Sequence, residues 1–275
     1  DFTCNALYYD PVRNKLIDFY GGVKAIKKKQ LNLIGDPKIR FNEDPIRMLR
    51  AIRFSAKLSM PLNKSLTDHI NQSVSLLDKV PYSRLFDEIM KLFLTGHAVK
   101  SNILFKEFQL ADKYFPALLC EESYEFINQG LINTDFRISN NKSINPGFLL
   151  AVFLWPEVKL AWGKNIKKIH HSIALNEAID STLHKQSLIF PIQKRFAITM
   201  SEIWRLQPRF ENLNPKIIYR LSGHPRFRAG YDFLLLRSLQ DEKVKNTASW
   251  WTNYIGADED TKSKLIKKRN LKKNA

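Results

Sequence analysis

The sequence predicts an α+β chain, with a short N-terminal stretch of strands and turns followed by helices over most of the remaining length. Three observations predict it. Residues 1 to about 35 alternate apolar or aromatic runs with turn residues. From Asp44 onward, apolar residues recur every three or four positions. Hydrophobic residues make up 44% of 275, enough for one large core or two modest ones and too many for a disordered chain.

Taken in order, 2–9 is an apolar and aromatic run that reads as a strand. Asp10-Pro11 and Arg13-Asn14 read as a turn, and 15–20 as a second short strand broken by Gly21-Gly22. A third strand is expected at 31–34, closed by Gly35-Asp36-Pro37. Asp44 before Pro45 is a strong helix start, since Asp suits the cap and Pro the first turn. That helix is expected over 45–58, stopping before Pro61. Further helices are expected at 62–77, 82–94, 98–107, 146–154, 164–184, 194–206 and 226–238. The polar stretch 133–145 reads as a loop, and 262–273, with seven Lys or Arg in twelve residues, as a mobile basic tail that touches phosphate.

Composition narrows the function classes. No apolar run reaches the length of a membrane span; 148–155 is too short. Cys4 and Cys120 supply neither a disulfide framework nor a metal spacing, which fits a reducing cytosol. The six histidines lack zinc-ligand spacing, adjacent His170 and His171 included. Lys and Arg total 44 against 27 Asp and Glu, a net charge of +17. Such an excess implies a polyanionic partner, and 12% aromatic residues add faces on which bases stack. Gly21-Gly22 lacks the spacing of a phosphate-cradling loop and reads as a turn.

The helix after Asp44 carries the sharpest chemistry. Residues 43–58 read EDPIRMLRAIRFSAKL. At about 100° per residue, Glu43, Arg47, Arg50, Arg53 and Lys57 fall on about a third of the circumference, with Met48, Leu49, Ile52 and Ala56 facing a core. Four cations on one stripe repel each other, so a triphosphate or an RNA backbone against them is favoured. Asp44 accepts hydrogen bonds and Arg47 donates them. Adenine and cytosine offer a matching donor and acceptor on the pairing edge, whereas guanine and uracil reverse the order. Such a pair accepts A or C and rejects G and U, because a mismatch leaves buried polar groups unpaired. The pair alone does not separate ATP from ATP plus CTP.

A second basic concentration, Arg205, Arg209, Arg220, Arg226, Arg228 and Arg237, lies among Trp204, Phe210, Tyr219, Phe227 and Tyr231. The aromatics read mostly as core and the arginines as phosphate contacts.

Three successive stretches carry a family resemblance. Asp1-Phe2-Thr3-Cys4-Asn5-Ala6-Leu7, Asp18-Phe19-Tyr20-Gly21-Gly22 and the run from Glu43 to Phe54 resemble, in order and spacing, motifs of class II nucleotidyltransferases. That family contains bacterial poly(A) polymerases and CCA-adding tRNA nucleotidyltransferases. Arg84-Leu85-Phe86-Asp87-Glu88 with Lys91-Leu92 resembles the next helix, in the neck. Lys194-Arg195-Phe196, the run from Glu202 to Gln207, the run from His224 to Arg237 and Trp250-Trp251 look like the tail of the poly(A) polymerase branch.

The resemblance implies the C-terminal part of a mixed-sheet nucleotidyltransferase head at 1–40 and a nucleotide- and RNA-binding helical neck at 41–100. A helical body at 101–160, an arginine-rich helical domain at 161–255 and a basic tail at 256–275 follow. It implies template-independent transfer of adenylate from ATP to RNA 3′ ends, with Mg2+ as cofactor. Asp1 matches a catalytic, metal-binding carboxylate. Glu43, Asp44, Arg47 and Arg50 match the nucleotide-recognition motif, with Asp44 and Arg47 reading the base and Glu43 positioning Arg50 by an ion pair. Arg53, Lys57, Arg84, Lys91, Arg205, Arg209, Arg226 and Arg228 are the candidate RNA contacts. Two departures stand out: the arginines expected before Asp1, and the Gly-Ser turn with its Asp-x-Asp pair, are not in this sequence. Ala25-Ile26 also stands where the family often has Asp-Leu. The expectation is therefore that this chain alone does not polymerise. CCA addition and an inactive RNA-binding relic are the alternatives. RNA 3′ ends, ATP and RNA-decay proteins are the expected partners, and the cytoplasm the expected location.

Overall fold

The computed structural model describes residues 1–165 and 170–271, and the chain divides into two units: Asp1–Asp112 with Leu131–Ile144, and Lys113–Gly130 with Asn145–Ala275. In the first unit, β1 (Leu7–Asp10) and β2 (Lys15–Asp18) form an antiparallel hairpin, with Leu7 opposite Asp18 and Asp10 opposite Lys15. The Asp10 carboxylate accepts from the Val12 and Arg13 amides, which explains why Asp-Pro turns the chain there. The strand expected at 2–9 is shorter than its apolar run, because Thr3–Asn5 forms a 3-10 turn. The strand expected at 31–34 makes only isolated bridges, Leu33 to Phe2 and Leu31 to Leu62.

Two helices replace what reads as turn. α1 (Gly22–Lys27) starts after Gly21, whose φ of 71° lies in the left-handed region. A Cβ on Gly22 would lie 2.3 Å from the Thr3 carbonyl oxygen, so only glycine fits. The Asp18 carboxylate holds this turn, accepting from the Gly22 amide at 2.8 Å and the Val23 amide at 2.9 Å. Those bonds hold its carboxyl below the usual aspartate range. α2 (Pro37–Glu43) is capped by Asp36, which accepts from the Ile39 amide at 3.0 Å.

α3 (Ile46–Leu58) follows the expected pattern. Met48, Leu49, Ile52 and Ala56 are buried, and each large apolar side chain so buried contributes about 1.5–3 kcal/mol. Ser59, with φ 51°, closes it. α4 (Lys64–Ser73) is capped by Asn63 and gives way to a 3-10 turn over Val74–Lys79, where a single helix is expected. α5 (Tyr82–Phe93) and α6 (Ala98–Glu107) match expectation and pack with α3.

The division between units falls within α7 (Leu110–Tyr114) and α8 (Tyr124–Ser139). α8 corrects the first half of the loop expected at 133–145, while 140–145 is turn and loop as expected. Its polar residues are used inside the fold: Thr134 is buried, and Asp135 accepts from the Ala98 amide at 2.6 Å and the Val99 amide at 3.2 Å, capping α6 from a distance.

The second unit is helical, with α9 (Pro146–Asn165), α10 (His171–Ile189), α11 (Lys194–Glu211), α12 (Pro215–Ser222) and α13 (Phe227–Arg237). α14 (Glu242–Gly256) and α15 (Glu259–Leu271) complete it. α9 is buried all round over Leu149–Leu154, which accounts for its apolar run. Two buried indoles fix the packing: Trp204 Nε1 donates to the Ala151 carbonyl at 3.2 Å, and Trp251 Nε1 to the Phe210 carbonyl at 2.9 Å. α9 and α11 run past their expected ends, through Pro156 and Pro208, because their apolar faces continue into the core. The helix expected at 164–184 is found from His171; 166–169 lie outside the described residues. The basic tail is helical to Leu271 with Ile266 buried, so it is not a free tail there; Lys272 and Lys273 lie outside the described residues. Among the described residues no helix is long and apolar enough to cross a membrane.

Candidate functional site

α2 and α3 meet at Asp44, and this break assembles the site. Asp44 is extended (φ −148°, ψ 97°), its carbonyl accepts from the Arg47 amide at 3.1 Å, and its Oδ1 accepts from the Ile46 amide at 3.3 Å. The side chains of Glu43, Asp44, Arg47 and Arg50 therefore leave the chain near one another. Arg47 is only 14% exposed. Its Nε donates to Asp1 Oδ1 at 3.2 Å, and its Nη1 to Glu43 Oε2 and the Arg40 carbonyl, both at 2.8 Å. Arg50 Nε lies 2.8 Å from Asp1 Oδ2. Asp1 is thus gripped by two arginines one helical turn apart.

The expected Glu43–Arg50 ion pair is not formed. Glu43 instead meets Arg40 Nη1 at 2.6 Å as well as Arg47, while Arg50 reaches Asp1. The reason is geometric: Glu43 ends α2, so it faces its own i−3 neighbour Arg40 rather than the second turn of α3. Arg40 is the residue that sequence reasoning missed, although Asp36-Pro37 ahead of it has the same form as Asp44-Pro45. Its Nη2 also lies 3.9 Å from Asp1 Oδ1. Three guanidiniums, from Arg40, Arg47 and Arg50, thus surround two carboxylates, which leaves the cluster positive and suited to an anion.

Asp44 Oδ2 accepts from Arg84 Nη2 of α5 at 2.6 Å. Arg53 and Lys57 continue the stripe but diverge. Arg53 is 15% exposed, lies over the Phe54 ring, and its Nε is 3.6 Å from Glu88 Oε2. Its charge is largely turned inward. Lys57 is exposed, as is Lys91, whose Nζ donates to Glu88 Oε1 at 2.7 Å.

In the second unit, Arg205 and Arg209 are exposed on α11, and Arg205 Nε donates to Asn176 Oδ1. Arg226 Nε donates to Glu202 at 2.8 Å, and Arg228 pairs with Asp232 at 3.0 Å. Arg237 is 10% exposed, 2.8 Å from Glu211 and over the Trp155 ring, which makes it part of the packing. Trp204, Phe210 and Tyr231 are buried, whereas Tyr219 is exposed.

Family models described as "Poly A polymerase head domain", "Probable RNA and SrmB- binding site of polymerase A" and "Polymerase A arginine-rich C-terminus" match residues 1–32, 60–120 and 167–275. The chain is 37% identical to poly(A) polymerase I of Haemophilus influenzae, over 98% of this chain and 62% of that protein. It is 34% identical to poly(A) polymerase I of Escherichia coli, over 96% and 60%. The chain thus spans about three fifths of the length of these relatives. Its fold is similar to the Thermotoga maritima CCA-adding enzyme complexed with tRNA, with a TM-score of 0.60 and 20% identity over 94% of this chain and 60% of that one. On these matches, the chain belongs to the poly(A) polymerase family of class II nucleotidyltransferases.

Proposed function

We propose that this protein adds adenylate from ATP to RNA 3′ ends without a template, releasing pyrophosphate, in RNA processing and turnover in the cytoplasm. The observation that carries the reading is the convergence of Glu43, Asp44, Arg47 and Arg50 with Asp1 at the α2–α3 break. The arginine cluster takes the triphosphate, and Asp44 with Arg47 meets the pairing edge of the base. Arg84 leaves Asp44 when the base arrives. Lys57, Lys91, Arg205, Arg209, Arg226 and Arg228 contact the RNA backbone, and Arg53 holds Glu88 beside Lys91. The division at 1–40, 41–100, 101–160, 161–255 and 256–275 describes head, neck, body, arginine-rich domain and tail in this role, and RNA-decay proteins are its protein partners.

Nucleotidyltransferases of this family use divalent metals. Among the described residues no three His, Cys, Asp or Glu side chains are grouped to hold a metal ion, and Asp1 has both carboxylate oxygens committed to arginines. The residues present do not fit Mg2+ by themselves, and the reading carries the expectation that this chain alone does not polymerise. Extension of an RNA oligonucleotide by the protein, with each nucleoside triphosphate in turn, tests the reading. ATP alone is expected to extend it. CTP use at comparable efficiency contradicts it in favour of CCA addition, and extension by the 275-residue chain alone contradicts the expected inactivity.

A further inference from the structure

Six arginines of the second unit fall into two groups. Arg205, Arg226, Arg228 and Arg237 have side-chain partners in Asn176, Glu202, Asp232 and Glu211. Arg209 and Arg220 have no side-chain partner among the described residues, yet both line one pocket of about 210 Å3 with Ile217, Leu221 and His224. Each sits in the last turn of its helix, where carbonyl ends favour a cation without neutralising it. His224 Nδ1 accepts from the Arg226 amide at 3.1 Å, so a neutral ring carries its proton on Nε2 as a donor. Two uncompensated guanidiniums and an imidazole donor above an apolar floor make a site for a small anion.

We propose that the Arg209–Arg220–His224 pocket binds one phosphodiester of single-stranded RNA. This rests on the RNA-extending reading above and adds to Arg209, already an RNA contact in it, a defined subsite with two further residues, Arg220 and His224. The size favours a phosphate over a whole nucleotide, since small-molecule pockets run to about 300–1,000 Å3. Half-buried Ile217 gives the adjoining ribose an apolar surface over buried Leu221, and exposed Tyr219 on the same helix offers a base a stacking face.

The test is fluorescence anisotropy of a labelled single-stranded RNA with the chain across a salt series. The double variant Arg209→Gln/Arg220→Gln is expected to bind about tenfold more weakly and to flatten the slope of log K against log salt by about 0.7, one phosphate contact on a single strand. Lys243→Gln/Lys245→Gln on α14 removes the same charge and is expected to leave the slope unchanged. Equal effects from the two variants, or none from the first, overturn the pocket while leaving the RNA reading intact. Failure of the unaltered chain to bind RNA overturns both. Loss of ATP binding with RNA binding retained reassigns the pocket to a nucleotide phosphate and overturns the proposal. Circular dichroism and melting check that the variants fold, which the exposure of both arginines favours.

Discussion

Arg84 Nη2 lies 2.6 Å from Asp44 Oδ2, so the carboxylate at the head of α3 is held from α5, forty residues away. Arg84 is 54% exposed and Asp44 23%, and pairs so exposed contribute at most about 1 kcal/mol. A bridge that weak is one a base can displace. A double-mutant cycle of Asp44→Ala and Arg84→Met in urea is expected to give a coupling below about 1 kcal/mol. A coupling several times larger contradicts the displaceable bridge.

Glu88 behaves differently. It is 9% exposed between Arg53 and Lys91. Removing it leaves the half-buried Arg53 without a counter-charge, so Glu88→Ala is expected to destabilise the protein by about 2 kcal/mol. Lys91→Met removes only the exposed partner and is expected to cost under about 1 kcal/mol. Denaturant midpoints compare the two directly.

Gly230 packs α13 onto α11. A Cβ there would lie 2.7 Å from Phe210 Cε2 and 3.0 Å from Leu206 Cδ1, and both neighbours are buried. Gly230→Ala is therefore expected to cost about 1–3 kcal/mol through overpacking. It should leave chemical shifts near the α2–α3 break unmoved.

Asp18 gives a pH signature. Its carboxyl is held below the usual range, first by the Val23 amide and then by the Gly22 amide. Because the folded value is depressed, the stabilisation is present above the unfolded aspartate pKa and is lost as pH falls through the folded one. An NMR titration should show the Gly22 and Val23 amides shifting together at acid pH, below the usual aspartate midpoint. Asp18→Asn should abolish that step.

Local signals carried α3, α5 and α6, where apolar spacing agrees with the packing. They missed α8 because Asp135 serves a helix start 37 residues away, and no local pattern records such a partner. The residues at the α2–α3 break were legible as a motif, but their pairing was not. Asp1 to Arg47 and Asp44 to Arg84 are contacts between remote positions. Arg53 read as a surface cation because helical spacing alone does not show that Glu88 of α5 covers it.

Nucleotide selection by Asp44 is the most direct test of the account. The ratio of ATP to GTP use is measured in the protein and in its Asp44→Ala form. The variant is expected to lose most of its preference for ATP, by about tenfold or more, as a site built to pair with a base edge should. An unchanged ratio contradicts it.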